Sequence, residues 1–236
     1  MPNQIWCDMP SKKLLRLGGD VREHPRYSIE EAASYLHIPP STMKAWTRGQ
    51  HYRTRMGAIR IFRAVIEPAD SKNKLLSFYN LAEAHILRAT RERNVPLRNV
   101  RSAIHYIRNS YPHDPHPILS YDFSTFGKQV FIDHLGQLVN ATRQGQLGMR
   151  EILDKYLERI ERDDVGKPRQ VFPIYSNRIA INPLLSSGRP IVKGTGIMVS
   201  VLIDRAKAGE SIPELAKDYG LQPLEVEEAI QEYEAA

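Results

Sequence analysis

One cysteine, Cys7, stands in a chain of 236 residues. That scarcity excludes a disulfide framework and a thiolate metal cluster of the cysteine-pair sensor kind, and it suits a reducing cytoplasm. No apolar run approaches the ~18 residues of a membrane span. The opening "MPNQIWCDMPSKK" has no long apolar stretch after a basic start, so a cytoplasmic protein without a membrane partner is expected. Catalytic signatures are missing too: there is no phosphate loop, no His-Glu-x-x-His zinc helix and no nucleophile elbow. The glycines of "VKGTGI" lack the spacing of a Walker or dinucleotide fingerprint and read as a tight strand connection. His113, Asp114 and His116 sit among prolines, which favours an exposed turn over a metal site. Asp163 and Asp164 read as a solvated pair at a helix end, and His85 and His105 as packing or solvent residues. The expectation is therefore a non-enzyme with no catalytic residue, no metal and no cofactor. Internal repeats and low-complexity tracts are absent as well.

What the chain does have is charge, unevenly distributed. Residues 1 to 110 carry 19 Lys plus Arg against 9 acids, a net +10, while residues 111 to 236 carry 14 against 18, a net −4. Within the basic half, Ser41 to Arg63 holds Lys44, Arg48, Arg53, Arg55, Arg60 and Arg63 and no acid. Such a surface must find a polyanion or many counterions, and phosphate is the obvious partner. The last thirteen residues, "LEVEEAIQEYEAA", invert this: five glutamates and no base, a poor surface to lay against phosphates.

The stretch "YSIEEAASYLHIPPSTMKAWTRGQHYRTRMGAIRIFR", Tyr27 to Arg63, reads as a helix-turn-helix followed by a basic hairpin. Ser28 can cap a helix in which Ile29, Ala32, Ala33 and Leu36 recur at helical spacing, with Glu30 and Glu31 at its positive end. Ala32 and Ala33 are small enough for close packing. Pro39 and Pro40 close the turn, leaving Ser41 to cap a second helix whose Met43 and Trp46 point back to the first. Thr42, Lys44, Ala45 and Arg48 are then outward-facing. Alternation around Ile59 and Ile61, with Met56-Gly57 as the turn, suggests a two-stranded wing. Such a unit places its second helix in the major groove while neighbouring basic residues hold the backbone. Ser41, Thr42, Lys44, Ala45, Arg48, Arg53, Arg55 and Arg60 are the expected contacts to double-stranded DNA.

These residues resemble the MerR-like and excisionase-like winged helices, whose pattern is an acidic-Ala-Ala run, a short turn, then Ser/Thr, aliphatic and Trp. Glu31-Ala32-Ala33, Thr42-Met43 and Trp46 match. His37 stands where the pattern usually has Gly, a position whose left-handed backbone costs His less than a β-branched residue. The segment "FYNLAEAHILRATRERNVPLRNVRSAIHYIRN" looks like the helix pair that follows the wing in MerR-like proteins.

A boundary falls near "SYPHDPHPILSYD", where prolines break the helical pattern. Beyond it "QVFIDHLGQLVNAT" suggests a hairpin turning near Gly136. "MREILDKYLERIERDD" reads as an amphipathic helix with Ile152, Tyr156 and Ile160 on one face and Leu153 and Leu157 beside them. This region could dimerise the protein or simply contribute core. "PRQVFPI" and "NRIAIN" read as short strands. Then come a strand at Pro190 to Val192, the "KGTG" connection and three helices, with Ser211 as a cap, Gly220 at a helix end and Pro223 opening the last helix. The expected fold is mainly α with short β hairpins (α+β). It comprises an arm (1–25), a winged helix (26–110), a connecting region (111–175) and a small helix-turn-helix-like C-terminal domain (176–236).

Gly188-Arg189-Pro190, Gly194-Thr195 and Gly209-Glu210-Ser211 in that last domain resemble a small domain of unknown function found in VapB-like antitoxins. Gly196 replaces the usual Arg. The resemblance implies a homodimeric antitoxin that binds its own palindromic operator and silences a co-encoded ribonuclease toxin of the PIN or PIN-like type. Nucleases of that type hold Mg²⁺ with clustered carboxylates, which a basic side chain of the antitoxin could reach. Arg178, Arg189, Lys193 and Thr195 are the candidate toxin contacts. Two other roles stay open for this domain: the acidic last helix against a basic toxin surface, or dimerisation alone. A different class is also open, a MerR-like transcription regulator whose C-terminal half senses a ligand or a protein, with no toxin.

Overall fold

The computed structural model describes residues 19–53, 57, 59–62, 64–139 and 143–235. Helix α1 (Ile29–Tyr35) opens with a reciprocal cap. The Glu31 N–H donates to Ser28 Oγ at 3.1 Å, and the Ser28 N–H donates to the Glu31 carboxylate at 2.8 Å. Ile29, Ala32 and Ala33 are buried, and His37 takes the left-handed conformation (φ +50°) that turns the chain into α2 (Pro40–Thr47). That helix does not start as the sequence suggests. Pro39 is its cap residue and Pro40 its first helical residue, so Ser41 lies inside the first turn and caps nothing. Proline without an N–H and with φ already set suits the first position better than serine does. Met43 and Trp46 are sealed at 0% and 2% exposure. Strands β1 (Gln50–Arg53) and β2 (Ile59–Phe62) pair antiparallel, Gln50 opposite Phe62 and Arg53 opposite Ile59. Gly57, at φ +80°, lies between them.

Helix α3 (Phe78–Glu92) is the centre of the larger core, with every residue from Phe78 to Leu87 buried. It is followed by α4 (Leu97–Ser110), short turns at Pro117–Leu119 and Phe123–Gly127, then α5 (Lys128–Val139) and α6 (Arg143–Leu157). The hairpin expected around Gly136 is thus a helix. Phe131, Ile132 and Leu135 are buried at helical spacing. Gly136 serves close approach rather than a turn, because the Gln146 side chain of α6 fills the space a Cβ would need. Helix α6 ends at Leu157, so Ile160 belongs to a strand and not to the helical face.

Strands β3 (Ile160–Arg162), β4 (Pro168–Val171), β5 (Ile179–Ile181) and β6 (Pro190–Val192) form one antiparallel sheet in sequence order. Val171 and Ile181 join the large core, while Ile179 and Val192 join a second, smaller one under α7 (Val199–Lys207), α8 (Ile212–Tyr219) and α9 (Pro223–Glu234). Ser211 and Glu214 form a capping box, Gly220 closes α8 at φ +66°, and Pro223 opens α9, as the sequence indicates. At the other end, residues 1–18 of the expected arm lie outside the described residues. From Asp20 the chain is pinned: Arg22 bonds Asp20 at 2.8 Å and Asp163 at 2.7 Å. No helix among the described residues is long and apolar enough to cross a membrane.

Candidate functional site

Burying Met43 and Trp46 decides which side of α2 faces outward. Ser41 and Arg48 are exposed, and Lys44 is 41% exposed beside Glu30 at 2.9 Å. The hydrogen bond from Lys44 holds the Glu30 carboxyl below its usual range. Both groups are near solvent, so the pair is weak and phosphate can compete for the ammonium. Thr42 and Ala45 are placed differently. Less exposed than Ser41, they line with it and Trp46 a groove of about 210 Å³ against Thr90, Arg91, Val95, Leu97 and Val100 of the α3–α4 pair. Arg53 is exposed at the end of β1. Arg55 and the side chain of Arg60 lie outside the described residues.

The arginines of α3 and α4 have a role that their sequence context does not announce. Arg88 donates to the carbonyl of Leu36, Arg101 to that of Ala45 (3.0 Å), and Arg108 to those of Ala64 (3.2 Å) and Val65 (2.8 Å). Leu36 ends α1, and Ala45 lies in the last turn of α2, where carbonyls lack helical partners. Charge-assisted bonds from a rigid helix pair therefore fix both helices of the helix-turn-helix and the root of the hairpin that follows it. Arg91 goes to a side chain instead, donating to Thr42 Oγ1 at 2.6 Å.

In the C-terminal domain the four candidate residues do not share a role. Arg178 is half-turned inward onto α9, hydrogen-bonded to Glu228 and 3.9 Å from Glu225, and the Glu228 bond raises its pKa. Glu232 accepts from the Ser176 hydroxyl and the Arg178 N–H, and Glu234 pairs with Lys207. Four glutamates of the acidic helix are thus engaged within the domain. Thr195 holds its own turn, donating to the Val192 carbonyl (2.8 Å) and accepting from the Ile197 N–H (3.0 Å). Arg189 and Lys193 are exposed at the two ends of β6, Lys193 with its ammonium 5.0 Å from the Phe172 ring. Among the described residues no three His, Cys, Asp or Glu side chains converge to hold a metal.

This domain leans on the helix-turn-helix itself. The His37 ring stacks on Tyr175 with centroids 3.4 Å apart, and Tyr175 donates its hydroxyl to the Tyr35 carbonyl at 3.2 Å. Tyr27 donates to the carbonyl of Gly188 (3.1 Å), and Arg26 to that of Pro183 (2.8 Å). Burial, helped by the nearby Arg88 charge, lowers the His37 pKa to about 4, so the ring is neutral at physiological pH.

Residues 25–104 match the family model described as "Putative DNA-binding HTH domain", and residues 179–233 match "Protein of unknown function (DUF433)". The helix-turn-helix match thus lies in front and the match to the small domain behind. The chain is 28% identical over 240 residues to "Putative antitoxin VapB45" of Mycobacterium tuberculosis, covering 94% of this chain and 98% of that protein. Its fold is similar to the crystal structure of Rv2018 from Mycobacterium tuberculosis, with a TM-score of 0.66 at 22% identity over 88% of this chain and 98% of the other.

Proposed function

We propose that this protein binds and silences a co-encoded ribonuclease toxin of the PIN or PIN-like type through its C-terminal domain, and represses its own operon by placing α2 in the major groove of the operator. The observation that carries the DNA half is the orientation of α2. With Trp46 and Met43 sealed, Ser41, Lys44 and Arg48 are presented together, with Arg53 of the wing as a further basic contact. On the toxin side, Arg189 and Lys193 are the exposed cations that can reach a carboxylate cluster, Thr195 shapes the turn between them and α7, and Arg178 braces α9. The metal in question is the toxin's. A homodimer on a palindromic site is supported by an uncovered apolar ridge formed by Tyr106 of α4, Phe126 of the Phe123–Gly127 turn, and Val130 and Leu138 of α5.

The test is co-expression of the full-length chain with the product of the adjacent reading frame. The wild-type chain should co-purify with that product and restore growth. Arg189→Glu with Lys193→Glu should lose both effects while keeping operator affinity. A wild-type chain that neither binds nor protects against its neighbour would remove the toxin half of the proposal.

A further inference from the structure

The turn between α1 and α2 cannot complete its own hydrogen bonds. In a continuing helix the carbonyls of Tyr35 and Leu36 would receive the N–H groups of the residues four further on, and those are Pro39 and Pro40, which have none. Both donors come from elsewhere. Arg88 of α3 takes the Leu36 carbonyl, and the Tyr175 hydroxyl, from the connection between β4 and β5, takes that of Tyr35 at 3.2 Å. The turn also carries strain, because His37 holds φ +50° without being glycine. Its ring lies 14° from parallel on Tyr175, with Tyr233 of α9 edge-on at 6.3 Å, and Tyr233 is hydrogen-bonded to Ser34 of α1. His37 Nδ1 is buried and meets no hydrogen-bond partner among the described residues, so the tyrosine faces orient the ring.

Neither tyrosine belongs to the helix-turn-helix. Both pack against the small core under α7, α8 and α9, which fixes where they stand. The start of α1 is tied to the same domain: Tyr27 donates to Gly188, where a Cβ would overlap the Tyr27 hydroxyl, so only glycine allows the approach. Helix α1 is thus tied at both ends to the C-terminal domain, whereas α2 is bonded to α3 and α4 through Thr42 and Ala45. The angle between the two helices is decided at His37.

We infer that Tyr175 is a positioning residue for DNA reading: bonded to Tyr35 and stacked on His37, it fixes the direction in which α2 leaves α1, so operator discrimination requires the C-terminal domain to be seated. The inference rests on the proposal that α2 reads DNA. Base-edge contacts demand an exact helix direction, while phosphate contacts tolerate a small reorientation. Loss of the brace therefore costs sequence preference and spares the salt slope.

Anisotropy titrations of the full-length chain test this against an operator-region duplex and a mixed-sequence duplex, each roughly 30 base pairs or three helical turns. Tyr175→Ala should lower the operator-to-mixed affinity ratio about tenfold, the scale of one lost base contact, with the salt slope unchanged. Tyr175→Phe, which keeps the stack and gives up the Tyr35 bond, should fall between. Glycine needs no ring to hold a positive φ, so adding His37→Gly to Tyr175→Ala should recover most of the ratio. His37→Ala, strained and ringless, should lose it in an otherwise native chain, a comparison that stands even where Tyr175→Ala does not fold. If a folded Tyr175→Ala chain or the His37→Ala chain keeps the wild-type ratio, or if His37→Gly recovers nothing, the brace is wrong while the DNA reading stands. A wild-type chain that binds neither duplex, or both alike, removes the reading by α2 and the brace with it.

Discussion

His37 carries two duties in one residue. Its backbone makes the left-handed turn between α1 and α2, and its ring supports Tyr175 at the base of the C-terminal domain. The first duty was visible through the resemblance, because His37 stands where the winged-helix pattern usually has Gly, a left-handed position. The second was not, since nothing local announces a stacking partner so far along the chain. The folded ring titrates near 4 against 6.5 when exposed, so the unfolded chain takes up protons first as pH falls. Stability is therefore full above about 6.5 and declines toward about 4, by roughly 1 kcal/mol once solvent screening of a partly exposed residue is allowed for. His85, buried and held near 3, acts in the same direction, so the comparison must be between chains. In denaturant titrations at stepped pH, His37→Asn, which tolerates the left-handed turn, should show a shallower acid decline than wild type. Identical pH profiles would mean the ring is not shielded.

At the scale of elements, helix α2 and the wing should differ in what they contribute to binding. Lys44 is on the outward face of α2 beside Ser41, so Lys44→Ala should weaken operator binding more than random-duplex binding. Arg53 is exposed at the end of β1, so Arg53→Ala should weaken both alike and lower the salt slope by about one. A gel-shift series on the two duplexes distinguishes the outcomes, and equal losses from Lys44→Ala would show that it contacts phosphate only. Most elements were readable because their signals are local: the Ser28 and Ser211 caps, the wing alternation, the Pro223 start. The failures have physical causes too. Gly136 looked like a turn because its reason, the Gln146 side chain against its backbone, comes from another helix. The arginines of α3 and α4 looked like surface charge because the carbonyls they satisfy belong to distant turns.

For the whole molecule, the division into a basic front and an acidic rear survives, but the rear is less available than its sequence suggests. Most of the α9 glutamates face Arg178, Ser176 or Lys207, and only tertiary contacts could reveal that. The uncovered ridge on α4, the Phe123–Gly127 turn and α5 belongs to this scale as well. Phe126 is 76% exposed, with Val130 one turn further along and Tyr106 beside them on the neighbouring helix. If two copies meet there, Phe126→Ser with Val130→Ser should halve the sedimenting mass and weaken operator binding without altering thermal stability greatly. A wild-type chain that sediments as a monomer at the concentrations of DNA binding would leave the ridge without that role.

The sheet bears on how such proteins could be recombined. Strands β3 and β4 precede the C-terminal domain, yet β4 pairs onward with β5 at Val171 and Ile181, which joins them to the sheet of β5 and β6. A chimera spliced just before Ile179 would strip β5 of its neighbour and leave a raw ladder edge in both parents. Exchange of specificity between two such proteins should succeed only when the transplanted piece begins upstream of Ile160, carrying the whole ribbon with it.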